Sequence, residues 1–153
     1  MCIKKLIIDT NLLLLLVIGG VDQGRYIGRS SRLNKFSERD YRIVLEYISD
    51  FQVFITPYIA AEVSNLIDLK GEAAQKAFEV ARVFFGVFEQ IDSVIKDDCS
   101  GVEFQRFGIT DSSLVRLVKD YLVLTDDNRL TVPLYAECGE NVIPYDFIKN
   151  LVS

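Results

Sequence analysis

Apolar and polar positions fall along this chain in blocks that read as strand, then helix, then strand again. Leu6 to Ile8 is a short apolar run of the kind that forms a strand buried on both faces, and Leu12 to Ile18 reads as a helix. Between them stand Asp9, Thr10 and Asn11, at the strand's C-terminal edge. From Gly19-Gly20 to about Phe36 the chain is polar and glycine-punctuated, which predicts a surface loop. Ser37 opens a helix in capping-box fashion with Asp40 at the third position, and Tyr41, Val44, Leu45 and Ile48 form its expected buried stripe. Gln52 to Ile55 is a second strand. Thr56 as N-cap and Pro57 at the first helical position carry it straight into a helix. Ile59, Val63, Leu66 and Ile67 make that helix's apolar face, with Glu62 at its border.

Lys70-Gly71 breaks the chain before a long amphipathic helix over about Glu72 to Gln90. Its stripe is Ala74, Ala77, Phe78, Ala81, Phe84, Phe85 and Phe88, a spacing that belongs to a core. Ser93 to Ile95 suggests a short strand, and Asp97 to Phe107 a short helix ending at Gly108. The next helix runs from Gly108 to Val118, with Thr110 as N-cap and Asp111 in its first turn. Tyr121 to Leu124 is the clearest internal strand, and it ends in Thr125-Asp126-Asp127. Leu130 to Cys138 is a helix closed by Gly139, and Asn141 to Tyr145 is a last strand before a short C-terminal helix. No repeat, linker or low-complexity tract interrupts this alternation. It predicts one α/β domain over residues 1–153, a central parallel β-sheet flanked by helices.

Charge and composition narrow the function. The net charge is −5 and the isoelectric point 4.8, so no global electrostatic footprint for nucleic acid exists and any such contact needs a local basic patch. Arg25, Arg29, Arg32 and Lys35 form the densest cationic segment; they read equally as a solvated loop or as phosphate contacts. The uninterrupted apolar part, Leu12 to Ile18, is well short of the roughly 18 residues a membrane span needs, so no membrane partner is expected. Cys2, Cys99 and Cys138 lack metal-type spacing and suggest a reducing, cytoplasmic setting. The sequence contains no histidine, which removes His-based acid–base catalysis, Ser-His-Asp triads and His-ligated zinc. A metal site built from this chain would be all-oxygen, suited to Mg²⁺ or Mn²⁺.

Asp9, Glu62, Asp111 and Asp127 lie on separate segments, each at a strand end or in the opening turns of a helix. Any one of them reads as a cap. Together, in a parallel sheet, they share one edge, the edge where open α/β sheets bind ligands. Clustered carboxylates repel and raise one another's pKa unless a cation neutralises them.

The motifs Ile-Ile-Asp9-Thr-Asn11-Leu-Leu, Thr-Pro-Tyr-Ile-Ala-Ala-Glu62-Val, Gly-Ile-Thr-Asp111-Ser-Ser-Leu and Val-Leu-Thr125-Asp126-Asp127-Asn-Arg-Leu resemble those of the PIN-domain nucleases. The closing Asn141-Val-Ile-Pro-Tyr145 is similar to that family's last strand. The resemblance covers nearly the whole chain. It implies a Rossmann-like domain whose acids bind Mg²⁺ or Mn²⁺ and hydrolyse RNA. Carried over by position, Asp9, Asp111 and Asp127 would be metal ligands, Glu62 would complete the cradle and Asp126 would be auxiliary. Asn11 would hold Asp9 or a water, and Thr125 would orient the last acid. Many stand-alone members are bacterial or archaeal toxins neutralised by an antitoxin, so the resemblance raises an antitoxin protein as partner beside the RNA substrate, and leaves a homodimer open. The long Gly19–Phe36 loop and the extended 72–90 helix depart from compact toxins of this kind.

Other Mg²⁺-binding folds with acids at strand ends fit less well. A receiver-type phosphoacceptor needs paired acids at the first strand and a lysine after a late strand, but no lysine lies between Lys119 and Lys149. A haloacid-dehalogenase-type phosphatase needs an Asp where Asn11 stands. The remaining alternative is a non-catalytic PIN-like scaffold that binds RNA or protein.

Overall fold

The computed structural model describes residues 2–152. Its first half contains β1 (Lys5–Ile8), α1 (Thr10–Gly19), α2 (Glu38–Ile48), β2 (Gln52–Ile55), α3 (Pro57–Leu66) and α4 (Gly71–Val87). Then follow β3 (Glu89–Gln90), α5 (Ile95–Asp98), α6 (Glu103–Phe107) and α7 (Ile109–Leu117). The chain closes with β4 (Leu122–Thr125), α8 (Asn128–Cys138), β5 (Val142–Pro144) and α9 (Tyr145–Leu151).

The strands form a single five-stranded sheet in the order β3-β2-β1-β4-β5. Every pairing is parallel; Ile7 faces Phe54 on one side, and Ile8 faces Leu124 on the other. The chain steps outward from β1 through β2 to β3, then returns to lay β4 and β5 on the opposite side. Strand order therefore reverses between β1 and β4, and the crevice at their C-terminal ends is the expected ligand edge.

The expected α/β domain with a parallel sheet is what forms, for the reason its runs suggest. Leu6, Ile7 and Ile8 have no exposed surface, as a central parallel strand covered on both faces requires. Leu12 to Ile18 are all at 0% exposure, so α1 is apolar round its whole circumference because helices and sheet enclose it. Gly19, at its end, lets α2 come close, since a Cβ there would run into the Tyr41 ring. Truncating Leu14 to Ala is expected to cost about 2–5 kcal/mol. Leu45, expected in the buried α2 stripe but 37% exposed, should cost well under half of that. Urea midpoints compare the two directly, and equal losses would mean that the α1 packing is misjudged.

The boundaries differ from expectation in several places. The long helix stops at Val87, and Glu89–Gln90, placed in that helix by its periodicity, becomes β3 through pairing with β2. Ser93 to Ile95 forms no strand, and α5 begins at Ile95. The single helix expected from Asp97 to Phe107 is two short ones, separated by the turn around Gly101. In α4 only Ala77 and Ala81 are fully buried, while Phe78 is exposed, so the aromatic stripe caps the core and does not fill it. The Gly19–Phe36 segment is more than a surface loop. It folds into three short 3-10 turns and sinks Val21, Ile27 and Leu33 into the core.

Local signals worked where they were strong. The Ser37–Asp40 capping box is present on both arms. The Thr56 hydroxyl accepts the Ile59 N–H at 3.2 Å with Pro57 in the first turn. No helix among the described residues is long and apolar enough to cross a membrane.

Candidate functional site

Asp9 stands where β1 becomes α1. Its N–H donates to the Leu124 carbonyl at 3.0 Å, extending the β1–β4 ladder by one residue. Its Oδ1 accepts the Thr10 N–H at 2.6 Å, so Asp9 is the N-cap of α1. Its Oδ2 accepts the Thr125 hydroxyl. Asn11 is half-buried, and neither of these bonds comes from it.

Thr125 ends β4, and the same hydroxyl that donates to Asp9 accepts the Asp127 N–H at 3.0 Å. The family resemblance implies that Thr125 orients the last acid; its hydroxyl meets that acid through the Asp127 backbone N–H and gives its own proton to the first acid. The two adjacent acids then take different environments. Asp127 turns its Oδ1 back to the N–H groups of Arg129 and Leu130, at 2.9 and 3.3 Å, and caps α8. The Asp126 side chain is only 5% exposed, and neither of its oxygens receives a well-aligned hydrogen bond. Its neighbour is the Lys35 ammonium, 2.8 Å from Oδ2.

Glu62 lies in the second turn of α3 and accepts the Thr110 hydroxyl. Thr110 is therefore no N-cap. Gly108 holds that position, with φ of 85°, a left-handed backbone that suits glycine. Asp111 follows in the first turn of α7.

These carboxylates feel one another. Burial, opposed by the Thr125 hydrogen bond and reinforced by the charges of Asp126 and Asp127, pushes the Asp9 carboxyl up to about 6. Burial and then repulsion from Asp9, Asp127 and Glu62 push Asp111 up to about 7, with Arg129 pulling against them. Glu62 is also raised by burial and held back by Arg32. One field thus links acids from four segments of the chain. They ring the sheet edge without closing on a point: among the described residues, no three carboxylates are drawn into a ready-made ligand group.

The basic loop meets this edge directly. Lys35 pairs with Asp126, and Arg32 acts on Glu62. Arg29 lies over the Tyr26 ring at 5.0 Å, and Arg25 is exposed. Of the four cations proposed for RNA contact, Lys35 is therefore paired with an acid of the same protein, and the charge of Arg32 is felt by Glu62. That contact is invisible in the sequence, since Lys35 and Asp126 are far apart along the chain. A nearer signal was missed at Arg129, two residues after Asp127, whose Nε lies 3.9 Å from Asp127 Oδ1.

The donor chemistry fits a hard dication. Oxygen ligands alone are offered, and the buried Asp126 oxygens and the buried Thr10 hydroxyl have no hydrogen-bond partner. Lys35 is the local substitute for such a charge. Replacing it with Gln leaves a buried carboxylate unpaired and should lower stability in chelator by about 1–3 kcal/mol. Mg²⁺ should then raise the melting temperature of Lys35→Gln more than that of wild type. Equal gains in both proteins would separate Lys35 from any ion bound at this edge.

Compared with known proteins, the chain matches no family model and no curated protein.

Proposed function

We propose that this chain is a PIN-like endoribonuclease that hydrolyses RNA phosphodiester bonds with Mg²⁺ or Mn²⁺. The observation that carries the reading is the gathering of Asp9, Glu62, Asp111, Asp126 and Asp127 at the C-terminal edge of β1 and β4, where strand order reverses. Asp9, Asp111, Glu62 and the Asp126–Asp127 pair would hold the ion. A bound dication at such a site supplies Lewis-acid polarisation of the phosphodiester and a hydroxide nucleophile near neutral pH. The protein's own part is positioning. Thr125 and the Thr10 N–H fix both oxygens of Asp9, Thr110 fixes Glu62, and the α8 N-terminus fixes Asp127. Arg32 and Arg129 stand beside the acids as cations able to meet phosphate oxygens.

Free thiols on Cys2, Cys99 and Cys138 agree with action in a reducing cytoplasm. An antitoxin partner, a toxin role and a homodimer belong to the same proposal and rest on the family resemblance. A second reading, a non-catalytic PIN-like scaffold, is favoured by one feature: Lys35 already neutralises Asp126. Cleavage of a labelled single-stranded RNA in Mg²⁺ or Mn²⁺, abolished by chelator and by Asp9→Asn, decides between them. Binding without any metal-dependent cleavage would select the scaffold.

A further inference from the structure

Beside the acidic edge lies a groove of about 470 Å³ lined by Val102, Glu103, Arg106, Phe107, Arg129 and Val132, among others. Its size falls in the range of roughly 300–1,000 Å³ usual for small-molecule sites. Two short pieces of chain tie it to the acids. Phe107 ends α6, and Gly108 turns directly into α7, which carries Asp111 in its first turn. Arg129 follows Asp127 at the start of α8.

The chemistry of the lining is specific. The guanidinium groups of Arg106 and Arg129 each lie 5.7 Å from the centre of the Phe107 ring. Arg129 also reaches Asp127, so one cation stands between the ring and the acids. Around them Val102 and Val132 are 72% and 70% exposed, an apolar lining open to solvent.

Surface stacking of two arginines on a phenylalanine is worth about 0.5–1 kcal/mol each and would account for the ring contacts alone. It does not account for the open apolar lining beside them, nor for their position against the carboxylates. In a chain of net charge −5, two arginines outnumber the one lining carboxylate, Glu103, and with the aromatic ring they suit an anionic ligand with a flat face. We propose that this groove binds one unpaired nucleotide of an RNA strand crossing the acidic edge. The base takes the place of one guanidinium on the face of Phe107, and Arg106 and Arg129 meet the flanking phosphates. This rests on the nuclease reading for its substrate class, but its test does not need cleavage.

The probe is a short fluorescein-labelled single-stranded RNA, titrated by anisotropy in chelator against the whole protein. Stacking is worth about 1–3 kcal/mol per base, so Phe107→Ala should bind roughly 5- to 150-fold more weakly, and Phe107→Tyr should bind as wild type does. Arg106→Gln should flatten the salt dependence by about 0.7 for its lost single-strand contact. A series of RNAs with one abasic position each should include one that weakens wild type and leaves Phe107→Ala unaffected. Folding of each variant is checked by circular dichroism, and the Tyr variant separates stacking from packing. Phe107→Ala binding as tightly as wild type, duplex RNA binding as tightly as single-stranded RNA, or no RNA binding at all would overturn the proposal. So would a dimer that Phe107→Ala dissociates, which would make the groove a protein interface. Phe107-dependent RNA binding without metal-dependent cleavage would keep the groove and discard the nuclease. Cleavage with an indifferent Phe107 would do the reverse.

Discussion

Asp9→Asn is expected to lose metal-dependent RNA cleavage by at least about 100-fold while keeping its fold. The side chain keeps its shape, and its oxygen can still accept from Thr125 or from the Thr10 N–H, so what disappears is one charge of the cluster. Groups that merely orient metal ligands cost about 10–100-fold when removed. A ligand should cost more than that. Thr125→Val supplies the internal comparison, because its hydroxyl holds Asp9 without itself being an acid. It should fall in the 10–100-fold range. Single-turnover cleavage of a labelled RNA over a Mn²⁺ series measures both. Full activity in Asp9→Asn would end the nuclease reading. The same series resolves the last motif. Asn is as good an N-cap as Asp, so Asp127→Asn should melt like wild type and lose activity through charge alone. Motif spacing favours Asp127 as the principal acid, whereas Asp126 is the more deeply buried and has only the Lys35 ammonium as a partner. If Asp126→Asn loses as much as Asp9→Asn and Asp127→Asn loses little, the principal acid moves back by one residue.

In chelator the protein should become less stable as pH rises from about 4 to about 7. Asp9 is raised from 3.8 to about 6 and Asp111 from 3.8 to about 7. Between the unfolded and folded values the native state holds more protons than the unfolded chain, so stability falls with pH and the whole penalty is present above about 7. For Asp9 alone it is about 3 kcal/mol at 1.36 kcal/mol per decade; Asp111 is more open to solvent and adds less. Glu62, also raised, acts in the same direction. Asp40 and Asp68 are lowered, and their contribution is lost only as pH drops below about 4, outside this window. With no histidine in the chain, no imidazole obscures the range.

More than half of the Asp9 penalty is already present at pH 5. At about 2–4 °C per kcal/mol, the melting temperature in chelator should therefore be roughly 3–6 °C higher at pH 5 than at pH 8 from Asp9 alone, and higher still with Asp111. Asp9→Asn should flatten that slope and melt at or above wild type at pH 8. A dication that binds only the folded state at a hundredfold excess over its dissociation constant adds about 2.7 kcal/mol, and should return roughly 5–10 °C at pH 8. Melting curves at the two pH values, with chelator and with Mn²⁺, test all of this. A wild type that melts higher at pH 8 in chelator, and ignores metal, would make Asp9 a helix cap and no more.

Much of the architecture was legible because its signals are local. The apolar runs at Leu6–Ile8 and Tyr121–Leu124, the Ser37 capping box and the Thr56-Pro57 junction each act within a few residues, and each forms as read, save that β4 lies one residue further on. The same holds for placing Asp9, Glu62, Asp111 and the Asp126–Asp127 pair at strand ends and helix starts, since chain connectivity alone puts them there. Where a long-range partner decides the outcome, periodicity misled. Glu89–Gln90 is helical by its spacing and becomes a strand because β2 offers an open edge. Thr110 is a good cap by type but spends its hydroxyl on Glu62 from another helix.

By itself, then, the sequence determined the parallel α/β domain and the placing of its acids along one edge of the sheet. Only the tertiary structure decided which of the neighbouring acids is buried, that Lys35 returns from a distant loop to neutralise it, and that Phe107 and Arg129 share a groove beside them. Burial, counter-ions and ring contacts join residues remote in the chain, and their strength depends on distances that no local pattern encodes.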